Sequence, residues 1–137
     1  MGENCIFCKI ISNEIPSKKF FEDETTFAFL DINPASNGHA LVIPKKHYET
    51  LADVPEEELK QLIVSVKKVA QAILKATKAS GFNILQNNGK VAEQLVNHIH
   101  FHIVPRFEND SIKFSIASNK EEANKLEKTA ELIKKEL

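Results

Sequence analysis

The sequence has no apolar run long enough to cross a bilayer, no block of like charge, no internal repeat and only two cysteines among its 137 residues. Each scarcity removes a class of protein. A membrane-spanning helix needs about 20 mostly apolar residues in a row. The N-terminus MGENCIFCKII is short and carries Glu3, so neither a spanning segment nor a secretory leader is expected there. Eighteen basic against 19 acidic residues leave a formal charge of −1, which argues against a nucleic-acid arm or a polybasic membrane patch but leaves room for a local anion site. Two cysteines cannot build a disulfide framework. The expected compartment is the cytoplasm, where thiols stay reduced, and Cys5 and Cys8, spaced C-x-x-C, then read as a metal site or a redox pair.

The length suits one domain, residues 1–137, with enough chain to bury a core without staples. Ile6, Phe7, Ile10 and Ile11 make the apolar side of a short helical turn over residues 5–11. Two runs of strand formers, 19–22 and 25–31, flank the polar Asp23-Glu24 and predict strand, turn, strand. The turn-rich INPASNG leads into an apolar strand, HALVIP, closed by Pro44. From Pro55 the period changes: Leu59, Leu62, Ile63, Val66, Val69, Ala70, Ile73 and Leu74 recur at helical steps over residues 56–79. Asp53 or a neighbour is the expected cap, Glu56, Glu57 and Glu58 suit the positive end of the helix dipole, and Gly81 is the expected stop. Residues 82–86 and 98–104 are further strands, the second ended by Pro105, and the charged tail from Lys120 reads as a helix with a narrow apolar stripe, Leu126, Ala130 and Ile133. Strands before and after one long helix predict an α+β domain.

The chemistry is concentrated in HIHFHIV. On a strand His98, His100 and His102 share one face, about 7 Å apart, while Ile99, Phe101 and Ile103 share the other. Three readings stand. The imidazoles are the wet face of a half-buried strand, or they ligate a zinc with water in an open position, or a neutral imidazole attacks phosphorus while its neighbours donate to phosphate oxygens. The remaining histidines, His39 and His47, bracket the strand HALVIPKKH, so all five fall in two segments able to lie side by side.

His98-Ile99-His100-Phe101-His102-Ile103-Val104 matches at every position the signature His-φ-His-φ-His-φ-φ (φ apolar), and the chain resembles the histidine triad family, bacterial type. CIFCKIISNEIPSKKFFED, AFLDINPASNGHALVIPKKH and NILQNNGKVAEQLVNHIHFHIVPR resemble that family's segments in the same order, covering most of residues 4–106. The resemblance implies a five-stranded antiparallel sheet with one long helix and a short N-terminal one, followed by an extension over 107–137 that ends in a helix. It implies a homodimer that hydrolyses purine nucleotide conjugates, phosphoramidate or dinucleoside polyphosphate in type, at the α-phosphate. His100 would be the nucleophile, giving a covalent nucleotidyl-histidine, with His102, His39 and Gln94 completing the catalytic set. Asp31 would take the ribose hydroxyls, Asn87 would add a hydrogen bond, and Ile6, Phe7, Ile10, Phe29 and Leu30 would form the slot for the base. A structural zinc would be held by Cys5, Cys8, His47 and His98, and no catalytic metal is expected.

The chain departs from that pattern at Glu93, where Gly is common, at Asn97, where Pro is common, and at Leu95, where Ser or Thr is frequent. Leu95 has no hydroxyl to help protonate an amine leaving group. Two other functions fit the same residues: a metal-dependent hydrolase using the triplet as ligands, and a nucleotide-binding interaction module with vestigial turnover.

Overall fold

The computed structural model describes residues 2–137. Helix α1 (Ile6–Ile11) leads into strands β1 (Lys19–Glu22), β2 (Thr26–Leu30) and β3 (Ala40–Pro44). A 3-10 turn at Leu51–Asp53 precedes the long helix α2 (Glu56–Thr77), which is followed by β4 (Gly81–Leu85) and β5 (Phe101–Arg106), and the tail carries α3 (Lys120–Ala123) and α4 (Leu126–Lys134). The strands form one antiparallel sheet in the order β1-β2-β3-β5-β4, the α+β architecture expected.

The sheet has a core on each side. α2 lays Leu62, Val66, Val69, Ala70 and Ile73 against Ala28, Ala40, Val42, Ile99, Phe101 and Ile103. Each Val, Leu, Ile or Phe side chain among them, taken fully out of water, is worth about 1.5–3 kcal/mol. On the opposite face α1 packs Phe7 and Ile10 onto Phe27, Phe29, Leu41 and Ile43. Because strand side chains alternate, the residues between the α2-facing ones, His39 and His102 among them, project to the α1 side.

Several boundaries differ from expectation, each for a local reason. The helix stops at Thr77, not near residue 79, because Lys78 turns left-handed at φ 59° and donates its N–H to the Leu74 carbonyl at 2.9 Å; Gly81 instead opens β4. Asp53 does not cap α2, whose N-cap is Pro55; its carboxylate accepts from the Thr50 N–H (3.0 Å) and hydroxyl (2.9 Å) and closes the 3-10 turn. The last strand begins at Phe101 rather than at residue 98, so His98 lies in the bend, and His100 on the short segment, that lead into it. Pro105 does not end that strand. β3 pairs with β5 only as far as Ile103, so the proline's missing N–H removes no ladder bond, and the Ser36 hydroxyl reaches the Pro105 carbonyl at 2.7 Å. The tail is two exposed helical pieces, α3 and α4, rather than one continuous helix from Lys120.

Candidate active site

The histidines lie along β3 and β5: His39 precedes β3 beside Asp31 at the end of β2, His102 lies within β5, and His98 and His100 enter β5 near the other end of β3, which His47 follows. Phe7 lies edge-on to His98 (5.9 Å between ring centres) and His100 (5.1 Å), and His100 to His102 (5.0 Å). His98 is fully buried, and His39 and His100 nearly so.

The hydrogen bonds decide which ring nitrogen carries each proton. A carbonyl only accepts, so the 2.7 Å contact between His100 Nδ1 and the His98 carbonyl puts a proton on Nδ1. A neutral His100 then has its lone pair on Nε2. In His39, Nδ1 accepts the Ala35 N–H at 2.9 Å, so the proton sits on Nε2, 3.0 Å from His102 Nδ1. His102 therefore accepts at Nδ1 and, while neutral, carries its own proton on Nε2. One face of the site thus holds an imidazole lone pair and, beside it, an imidazole donor: the pair needed to attack phosphorus and to bind the oxygens around it.

Burial favours the neutral form of all these rings. It lowers His102 to about 4, reinforced by repulsion from His100 and His39 and opposed by the Asp31 charge. It also takes His100 below its ordinary value despite its bond to the His98 carbonyl and the Asp31 charge, and His39 likewise despite Asp31. Neutral imidazole is the nucleophilic species.

Asp31, at the end of β2, places Oδ2 3.5 Å from His39 Nε2 and uses Oδ1 to accept the Asn33 N–H at 2.8 Å. Asp31, His39 and His102 are grouped closely enough to suggest a metal set. The proton assignment argues against it, because the His39 nitrogen that faces the group carries a hydrogen and has no lone pair to give.

A second cluster lies behind the first. Cys5 Sγ, Cys8 Sγ, His47 Nδ1 and His98 Nδ1 all fall within 4.8 Å of one another. His98 Nδ1 is 3.3 Å from His47 Nδ1, 3.4 Å from Cys5 Sγ and 3.6 Å from Cys8 Sγ, and Cys8 Sγ is 3.5 Å from His47 Nδ1. Zinc held tetrahedrally at its usual bond lengths sets ligand nitrogens about 3.3 Å apart and nitrogen and sulfur about 3.5 Å apart. The donor set fits. His98 Nε2 donates to the Pro44 carbonyl at 2.8 Å, which leaves Nδ1 as the free lone pair, the outer-shell arrangement of a metal-binding histidine. Burial, with Cys5 alongside, pushes the Cys8 thiol up to about 11, and burial takes His98 down to about 4. A cation would reverse the first effect and is compatible with the second.

The other expected residues divide. Phe7, Ile10 and Phe29 pack together beneath the histidines, and Ile6 stands half exposed at their edge. Leu30 falls with Ala28 on the α2 side of β2, so the strand does not bring it to the same slot as Phe29. Gln94 is buried but points both ends of its amide at backbone: Oε1 accepts the Gly89 N–H (2.7 Å), and Nε2 donates to the carbonyls of Glu49 (2.6 Å) and Val96 (3.0 Å). It clasps the loop before the histidines. The Asn87 side chain is half-buried and makes no hydrogen bond among the described residues. Two exposed apolar side chains were not singled out from the sequence as contact groups: Ile32, 83 % exposed beside Asp31, and Val91, on the loop that Gln94 clasps. Their signal was present, an aliphatic residue in a turn-forming stretch. Leu95 is 92 % exposed on that same loop.

Comparison with known proteins bears on this arrangement. The family model of the HIT domain matches residues 12–109. The chain is 50 % identical over 107 residues to the adenosine 5'-monophosphoramidase of Saccharomyces cerevisiae, spanning 78 % of this chain and 65 % of that one. A crystal structure of a HIT family member from Bacillus subtilis superposes with a TM-score of 0.91 at 42 % identity, covering 98 % of both chains. A zinc-bound histidine triad family protein from Mycobacterium smegmatis gives a TM-score of 0.78 at 38 % identity over 92 % of this chain and 91 % of that one.

Proposed function

Since the chain belongs to the HIT family, we propose that it hydrolyses nucleotide conjugates at the α-phosphate through a covalent intermediate on His100. The observation that carries this reading is the 2.7 Å bond from His100 Nδ1–H to the His98 carbonyl, which leaves the lone pair on Nε2. In the first step Nε2 attacks the α-phosphorus, the bond from phosphorus to the leaving group breaks, and that group departs with the electron pair. In the second, water attacks the same phosphorus and gives up a proton to solvent, the P–N bond breaks with its electron pair returning to Nε2, and His100 is returned neutral with the nucleotide as product. His102 Nε2–H donates to a non-bridging oxygen as charge builds there, and His39 holds it in that state.

Asp31 takes the ribose hydroxyls, since a carboxylate accepts from both ends of a vicinal diol. The base lies on Phe7, Ile10 and Phe29, with Ile6 and Ile32 at its edges, and Asn87 is free to add a hydrogen bond. Gln94 acts by holding the loop. The preferred leaving group is one that needs little protonation, such as a phosphate, because Leu95 offers no hydroxyl.

Cys5, Cys8, His47 and His98 hold a structural zinc, whose chemistry is to cross-link the N-terminal segment to the sheet. Elemental analysis should find one zinc per chain, and Cys8→Ser should lose it; a full zinc complement in that variant would contradict the assignment. The same reading takes residues 1–137 as one domain with 107–137 an extension, working as a cytoplasmic homodimer. No helix among the described residues is long and apolar enough to cross a membrane.

His100→Ala should abolish turnover of an AMP conjugate while AMP still binds. Normal turnover by that variant would end the proposal. Complete chelation that removed activity while leaving the fold intact and His100 protonated on Nδ1 would instead favour catalysis by metal.

A further inference from the structure

The two clusters share a residue. We propose that the Cys5/Cys8/His47/His98 set is a positioning device for the nucleophile: by fixing His98 it fixes the carbonyl that selects the reactive tautomer of His100. This rests on His100 being the attacking group.

His98 is held from every side. Its Nδ1 belongs to the four-donor set, its Nε2–H is bound to the Pro44 carbonyl at 2.8 Å, and the following N–H, that of Ile99, donates to the Tyr48 carbonyl at 2.8 Å. Its own carbonyl receives the His100 proton at 2.7 Å. The loop that supplies Pro44, His47 and Tyr48 is in turn tied to α2, where Glu58 accepts from Lys46 at 3.0 Å and from the Tyr48 hydroxyl.

Without a cation this arrangement is frustrated. His98 Nδ1 meets three polar atoms between 3.3 and 3.6 Å, two thiol sulfurs and a second imidazole nitrogen, yet one nitrogen offers one lone pair or one proton. A metal satisfies all four donors at once. Remove it, and only weak thiol–imidazole hydrogen bonds remain across the cluster, so the segment carrying the His98 carbonyl loses one of its anchors. His100 then populates the tautomer with its proton on Nε2, where the attack needs a lone pair.

The test compares zinc-loaded protein with protein stripped by chelation under reducing conditions, its fold checked by circular dichroism. Turnover, AMP binding and the ring-nitrogen signals of His100 in a long-range proton–nitrogen NMR spectrum are recorded on both. The expected result is a kcat lower by about tenfold or more, AMP affinity within about twofold, and a mixed tautomer at His100. Stripped, folded protein with unchanged kcat and His100 still protonated on Nδ1 overturns the coupling, as does failure to bind one zinc per chain. If stripping unfolds the chain, cadmium exchange decides: the larger ion keeps the ligand set but displaces it. Shifted His100 signals and an altered kcat support the proposal, and signals and kcat equal to those of the zinc form refute it. His100→Ala in the zinc-loaded protein separates the two claims, because retained turnover there refutes the nucleophile while the tautomer measurement still reports on the coupling.

Discussion

Replacing His39 by Ala removes two hydrogen bonds at once and leaves their partners without replacements. The Ala35 N–H loses its acceptor at 2.9 Å and His102 Nδ1 loses its donor at 3.0 Å, both beside a nearly buried side chain. An unsatisfied buried polar group costs about 1–3 kcal/mol. The His102 loss acts on the reaction, because nothing else among the described residues holds His102 as the donor that must face the phosphate. At 1.36 kcal/mol per factor of ten, kcat/KM for an AMP conjugate should fall roughly 5- to 150-fold. The Ala35 loss acts on stability and should appear separately as a lower midpoint in urea. His39→Gln is the control, since an amide can both accept from Ala35 and donate to His102, and it should recover part of the rate. Steady-state kinetics on the three proteins, with the His102 nitrogen signals as a second readout, would check this. An alanine variant within about twofold of wild type, with His102 still protonated on Nε2, would refute the tautomer argument.

Two further outcomes follow from the same geometry. His102 is pushed by burial from 6.5 to about 4 in the folded protein, so between those values the unfolded chain binds the extra proton. The associated stability is full above pH 6.5 and drains away as pH falls towards 4. Urea titrations of wild type and His102→Gln should therefore diverge below pH 6.5, wild type losing ground to the variant, and parallel curves would contradict the burial. Gly38 sits at φ +92°, and a Cβ there would meet Thr77 Cγ2 at 2.9 Å and Ile73 Cγ2 and the Pro105 ring at 3.2 Å. Gly38→Ala should cost about 1–3 kcal/mol and shift the neighbouring His39, so a thermal midpoint equal to wild type would show that the turn has room.

Periodicity made the sheet and the long helix legible, because their positions depend on which side chains must be buried together. The order of apolar and polar residues placed Ile99, Phe101 and Ile103 towards the α2 core, and by alternation the histidines opposite. Boundaries were less legible where a residue acts against its type. Lys78 takes the left-handed conformation that Gly81 was expected to supply, and Pro105 lies within a strand because its neighbour β3 has already ended. The direction of each imidazole could not be read at all. It depends on the backbone N–H of Ala35 and the carbonyls of His98 and Pro44, groups that every residue carries and no pattern marks. Gln94 illustrates the same limit: the resemblance implied a place for it in the catalytic set, and its amide is engaged with backbone.

The central claim is that His100 Nε2 forms a bond to phosphorus. Rapid acid-free quenching of the protein with an AMP conjugate in the first turnover, followed by peptide mass spectrometry, measures it directly. The account predicts an adenylyl group on the peptide carrying residues 98–106, located at His100 and absent from His100→Ala. Turnover at the normal rate with no adduct on any histidine, or with the adduct on His98 or His102, would contradict it.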